Sequence, residues 1–78
     1  MNKKSARRER FENVAARRTQ RILDFLDSLS NCSNRSNYEY NEDDVKKMFK
    51  AIREATSRSE SAFDNQVNKE GKNTFKFR

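Results

Sequence analysis

Apolar residues recur at helical spacing over two long stretches of the chain. Between about residues 5 and 30 they follow a 4-3-4-3-4 series, interrupted by one charged residue, Arg18. The positions of this first stripe are Phe11, Ala15, Ile22, Phe25 and Leu29. A second stripe runs between about residues 42 and 64, at Val45, Met48, Phe49, Ile52, Ala55, Thr56, Ser59 and Phe63. The pattern therefore predicts two amphipathic helices.

A segment rich in asparagine and serine, residues 31–41, separates the two predicted helices. Such side chains compete for backbone hydrogen bonds, and asparagine tolerates the left-handed conformation, so we expect the first helix to end here. Asn41 is a good N-cap for the second helix, and Asp44 stands at the third helical position, as in a capping box. Tyr40 and Val45 are placed to form a hydrophobic staple across this cap.

The predicted fold class is all-α, with an antiparallel two-helix hairpin over residues 1–66 and a flexible basic tail over residues 67–78. The sequence has no proline and one glycine, which favours helices over tight β turns. A chain of 78 residues has a marginal core, and two helices alone leave much of each stripe in water. We therefore expect the hairpin to complete its core by forming a homodimer or by docking on a helical partner.

All of the net positive charge lies in the first 21 residues. Eight bases and two acids occur there (8 − 2 = +6), which equals the formal total, and ten bases balance ten acids after Arg21. Such a local excess points to an anionic partner, most often nucleic acid or a membrane surface. The candidate phosphate-binding residues are Lys3, Lys4, Arg7, Arg10, Arg17 and Arg21.

Part of this charge is predicted to lie on one side of the first helix. At 100° per residue, one flank of the first stripe holds four bases, which we call the arginine flank: Lys3, Arg10, Arg17 and Arg21. The acids Glu9, Glu12 and Asp27 lie on the opposite flank. A spacing of seven residues separates charges by about 10 Å along the helix axis, which suits successive phosphate contacts. The alternative is an ordinary solvated face, with some arginines paired to acids of the same helix.

The remaining arginines of the first helix, Arg7, Arg8 and Arg18, fall at the edge of the apolar stripe. Arg18 leaves two alternatives open. It either pairs with an acid of the second helix or of a partner subunit, or its stem covers the apolar edge while the guanidinium reaches water.

The last residues of the chain alternate aromatic and basic side chains, at Phe75, Lys76, Phe77 and Arg78. We expect a mobile tail or a short strand docked on its own domain. The alternative is that the two rings stack on bases or pack on a neighbour while Lys76 and Arg78 contact phosphates.

Residues typical of catalysis or metal binding are scarce in this sequence. It contains no histidine, one cysteine (Cys32) in a polar loop and no glycine-rich phosphate loop. We therefore expect that the protein is not an enzyme and that it binds no metal, cofactor or small-molecule substrate. The acidic run at residues 42–44 is better explained as a helix cap than as a magnesium site. No apolar run is long enough for a secretory signal or a membrane span, so we expect a cytoplasmic protein with no membrane partner.

The segment from Asn31 to Ala55 resembles a group of short bacterial and mobile-element proteins. Their pattern is an arginine-rich first helix that begins near Arg-Phe, an Asn-x-Ser-Asn loop, a Tyr-x-Tyr pair and an acid-capped second helix. The resemblance covers residues 7–63. The group has no assigned function, so the resemblance implies a small helical bacterial protein and transfers no site residue. In this pattern Tyr38 and Tyr40 either fold the loop over the hairpin end or form a contact surface.

Two functions are compatible with these features. The first is a nucleic-acid-binding accessory or regulatory protein that contacts the phosphates of DNA or RNA through the arginine flank, with little direct base reading. The alternative is a protein–protein interaction module, an adaptor or inhibitor, that docks by its amphipathic helices. No helix-turn-helix pattern is present to favour sequence-specific DNA reading.

Overall fold

The chain forms two long α-helices, as the periodicity predicts. A computed structural model describes residues 5–71, with side chains described up to residue 69. In this part of the chain α1 spans Ala6–Ser30, a 3₁₀ turn spans Asn31–Ser33, and α2 spans Glu42–Gly71. The described residues include no strand, so the prediction of an all-α protein is confirmed.

Helix α1 begins at a serine cap. The Ser5 backbone is extended, and its Oγ accepts a hydrogen bond of 3.0 Å from the backbone N–H of Arg8. The Ser5 carbonyl accepts a second bond of 3.0 Å from the N–H of Glu9. These bonds satisfy donors that a helix N-terminus otherwise leaves without partners, and the Glu9 carboxylate adds negative charge at the positive end of the helix dipole. The cap therefore determines the residue at which α1 begins.

Helix α1 ends at the predicted place, but the hydrogen bonds that end it differ from those expected. The Asn31 backbone is right-handed, and no described residue has the positive φ expected of a left-handed asparagine. Instead, the Asn31 N–H donates to the carbonyls of Leu29 and Ser28 as the chain tightens into the 3₁₀ turn. The Ser30 hydroxyl also donates to the Leu26 carbonyl at 3.1 Å. The carbonyls of the last turn thus find partners without a left-handed residue.

Asn34 organises the segment after the 3₁₀ turn. Its side-chain Oδ1 accepts a bond of 3.0 Å from the N–H of Ser36, which forms an Asx-type turn. Its carbonyl accepts bonds from the N–H groups of Asn37 and Tyr38, at 3.1 and 3.0 Å. One asparagine therefore satisfies three backbone donors in a loop that contains no glycine.

Helix α2 begins with the predicted capping box. The Asn41 N–H donates to Asp44 Oδ2, and the Asp44 N–H donates to Asn41 Oδ1, both at 2.9 Å. This reciprocal pair confirms Asn41 as the N-cap and shows that Asp44 acts in helix initiation. The predicted staple residues, Tyr40 and Val45, are both half-buried.

The end of α2 lies further along the chain than the sequence pattern predicts. The helix continues past residue 64 to Gly71, so residues 67–71, which are predicted as tail, are helical. Two features of the sequence explain the extension. Val67 lies four residues after Phe63 and continues the apolar stripe, and no proline or glycine interrupts the chain before Gly71. The remainder of the predicted tail, residues 72–78, lies outside the described residues.

The apolar stripes of both helices are open to solvent. No side chain among the described residues is buried, and the exposed fraction reaches 73% for Phe25 and 68% for Val67. The chain divides into two units between Glu39 and Tyr40. Hairpin packing and dimerisation therefore stay predictions. Neither described helix contains a stretch that is apolar enough to cross a bilayer.

The capping box yields a direct stability prediction. Replacing Asn41 with Ala removes the side-chain half of the reciprocal pair, so we expect α2 to lose about 1 kcal/mol of stability, within a range of about 0.5–2 kcal/mol. Far-UV circular dichroism during thermal melting measures the effect. The control is Asn37→Ala, because the Asn37 bond in the loop is made by its backbone. Equal losses of helix content in the two variants would contradict the role assigned to Asn41.

Candidate nucleic-acid interface

Three arginines of α1 form one row along the helix surface. Arg10, Arg17 and Arg21 are all exposed, and at 100° per residue they fall within an arc of about 40°. The helical rise separates Arg10 from Arg17 by about 10 Å and Arg17 from Arg21 by about 6 Å. These are the members of the arginine flank that the structure describes. Lys3 and Lys4, the other bases predicted for the interface near the start of the chain, lie outside the described residues.

Arg8 is held by contacts within its own helix. Its Nε donates to Glu12 Oε2 at 2.9 Å, an i, i+4 ion pair in which the two side chains are 59% and 35% exposed. The Arg8 guanidinium carbon also lies 5.6 Å from the ring centre of Phe11, within cation–π range. Each contact is weak at an exposed site, but together they direct Arg8 toward the apolar stripe and away from the arginine flank.

Asp24 is the acid of α1 that lies nearest to the arginine flank by helical position. Its Oδ1 accepts a hydrogen bond of 2.9 Å from the side-chain amide of Gln20, one turn earlier. A carboxylate three residues after Arg21 would be expected to pair with it. The i, i+4 spacing of Gln20 and Asp24 allows this bond, but a count of charges does not indicate it, because glutamine is neutral.

The arginine flank is therefore not paired with the acids of its own helix. Within the described part of the chain, Arg10, Arg17 and Arg21 make no side-chain hydrogen bond or ion pair. Each guanidinium presents five donors in a planar fork that matches the oxygens of a phosphate. The resulting row of hydrated cations is suited to bind a polyanion by displacing its counterions.

The stripe-edge arginines are also solvent-exposed. Arg7 and Arg18 make no ion pair with any residue that the structure describes. For Arg18 this arrangement agrees with the alternative in which the guanidinium reaches water. Pairing of Arg18 with an acid of the second helix or of a partner subunit stays a prediction.

Two other candidate residues lie in the segment that follows α1. Cys32 is an exposed free thiol in the 3₁₀ turn, and Tyr38 is 51% exposed. The described residues include no cluster of cysteine, aspartate and glutamate placed to hold a metal ion. The predicted tail contacts, Phe75, Lys76, Phe77 and Arg78, lie outside the described residues.

Comparison of the chain with protein-family models, with curated proteins and with solved structures finds no match. The resemblance to short bacterial and mobile-element proteins therefore stays a prediction. Function is accordingly inferred from the residues of α1 and α2 and their chemistry.

Proposed function

We propose that this protein is a small, cytoplasmic, non-enzymatic accessory or regulatory protein that binds the phosphate backbone of DNA or RNA. The observation that supports the proposal best is the exposed row of Arg10, Arg17 and Arg21, which has no ion pair among the described residues. Arg7 and the lysines Lys3 and Lys4 are proposed to extend the contact beyond this row. Binding is largely independent of base sequence, because the contacts are made to phosphates.

The number of contacts limits the affinity of a single chain. Each neutralised phosphate contributes a slope of about −0.9 to log K against log salt for duplex DNA, so three arginines give a slope of about −3. Binding of this kind is typically weak, at roughly micromolar to 100 micromolar dissociation constants near physiological salt. A dimer would present two rows to one nucleic acid and raise the affinity without any new kind of contact.

Charge reversal of the row tests this proposal. We expect the triple variant Arg10→Glu, Arg17→Glu, Arg21→Glu to lose measurable binding, because repulsion replaces three phosphate contacts. The assay is fluorescence anisotropy with a labelled duplex and a labelled single strand at about 50–300 mM salt, where wild-type duplex binding should show a slope of about −3 or steeper, since the three arginines alone give about −3.

The matched control is Lys47→Glu, Arg58→Glu, Lys69→Glu, on one side of α2. Both triple variants have a formal net charge of +6 − 6 = 0, so they differ only in where the charge is removed. We expect the control variant to keep most of the wild-type affinity. A wild-type slope near zero, or equal loss in the two variants, rejects phosphate binding by this row.

Exposure of the apolar stripes supports a second candidate function, protein–protein interaction, with a second copy of the chain as the first partner to consider. On α1, Ile22 and Phe25 are 59% and 73% exposed, and on α2 the exposed fraction is 56% for Phe63. Apolar area of this kind is usually covered in the functional assembly of a small helical protein. A homodimer would cover it and also double the basic surface.

Two neighbouring apolar residues of α1 allow a matched test of self-association. Ile22 lies on the stripe and Leu23 lies off it, with similar exposed fractions of 59% and 50%. We expect multi-angle light scattering at tens of micromolar to show a wild-type dimer, which Ile22→Ser dissociates and Leu23→Ser leaves intact. A wild-type monomer that melts cooperatively would contradict the homodimer.

A further inference from the structure

We propose that α2 carries a second phosphate-binding surface, formed by Lys46, Lys50 and Arg53 and called here the α2 basic row. This inference rests on the proposed nucleic-acid binding. It adds a second binding surface on α2, a helix whose total charge does not indicate an anionic partner. The three side chains are exposed, and within the described residues they make no hydrogen bond or ion pair. At 100° per residue they fall within an arc of about 60° on the polar side of α2.

The α2 basic row lies in a segment of the helix that has no acids. Between Asp44 and Glu54 the chain contains four bases and no carboxylate, since Lys47 accompanies the three residues of the row. The local potential over this part of α2 is therefore positive, although bases and acids are balanced over the chain after Arg21.

The positions of the nearby acids explain why they do not pair with the α2 basic row. The three acids that precede it, residues 42–44, all lie in the first turn of α2. Asp44 accepts the Asn41 N–H in the capping box, and the other two carboxylates lie at the positive end of the helix dipole. Glu42 has the i, i+4 spacing for a pair with Lys46, but the structure shows no such pair. These acids therefore stabilise the helix start and leave the row open to an anion.

The spacing of the row suits a nucleic-acid backbone. The helical rise places Lys50 about 6 Å and Arg53 about 10 Å from Lys46 along the axis. Arg17 and Arg21 of α1 have the same four-residue step. Each strand of a duplex carries one phosphate per about 3.4 Å of its axis, so these steps span roughly two and three phosphates. Flexible lysine and arginine stems let the three cations reach separate phosphate groups.

A neighbouring part of the polar surface of α2 provides a matched control. Lys47, Arg58 and Lys69 are also exposed, and by helical position they lie at least about 60° from any member of the α2 basic row. The test variant is Lys46→Gln, Lys50→Gln, Arg53→Gln, and the control variant is Lys47→Gln, Arg58→Gln, Lys69→Gln. Each has a formal net charge of +6 − 3 = +3, and glutamine is close to lysine and arginine in helix propensity.

The experiment measures binding of the full chain to one labelled duplex at about 50–300 mM salt. The test variant should bind about tenfold or more weakly than wild type at about 100 mM salt, with a slope shallower by about 1–3, because each lost phosphate contact removes about 0.9 from it. The control variant should keep the wild-type slope and lie within roughly threefold of the wild-type affinity. Circular dichroism of each variant checks that α2 remains helical.

Failure of this inference is distinguishable from failure of the proposed function. If wild type binds and the charge-reversed α1 variant does not, equal behaviour of the two glutamine variants overturns the α2 basic row alone. If wild type shows no salt-dependent binding, both the proposed function and this inference are overturned.

Discussion

Helix formation in this protein depends on interactions between residues near one another in the chain, because no described side chain is buried. Within each unit, α1 and α2 are supported by good helix formers, by the caps at Ser5 and Asn41, and by pairs such as Arg8 with Glu12. Most of the stability of helices in proteins comes from tertiary packing of an amphipathic face and not from helix propensity. Whatever covers the exposed stripes, whether a second copy or another partner, is therefore expected to contribute much of the stability.

The same short-range interactions decide which cations are available to a partner. Glu12 engages Arg8, and Gln20 engages Asp24, the acid nearest to the arginine flank. On α2, Asp44 is committed to the capping box at the helix start. In both helices these acids are hydrogen-bonded to other residues or lie at the helix start. The described part of the arginine flank and the α2 basic row therefore remain exposed. Net charge alone conceals this arrangement, since α2 lies in the balanced part of the chain.

Features that depend on local sequence are predictable. The helical periodicity, the capping box at Asn41 and Asp44, and the start of α1 near Ser5 all follow from residues within one or two turns of each other. The predicted end of α2 is wrong, because three polar residues after Phe63 separate it from Val67, which continues the stripe. The 3₁₀ end of α1 is not predictable either, since asparagine and serine can satisfy the last carbonyls in more than one way.

The candidate interface is predictable to a similar extent. Helical periodicity alone places Arg10, Arg17 and Arg21 on one flank of α1. The pairing that separates Arg8 from them is not predictable, because several arginines have acids at suitable spacing. How α1 and α2 pack, and on what, depends on contacts between residues distant in sequence, which periodicity does not determine.

The most direct test of phosphate binding is NMR of the arginine side chains in the full protein during titration with a short nucleic-acid duplex. The Nε–Hε resonances report each guanidinium separately. We expect those of Arg10, Arg17 and Arg21 to shift, and that of Arg8, whose Nε is bonded to Glu12, to change little. Equal shifts for all four arginines, or a shift confined to Arg8, would contradict selective binding by the arginine flank.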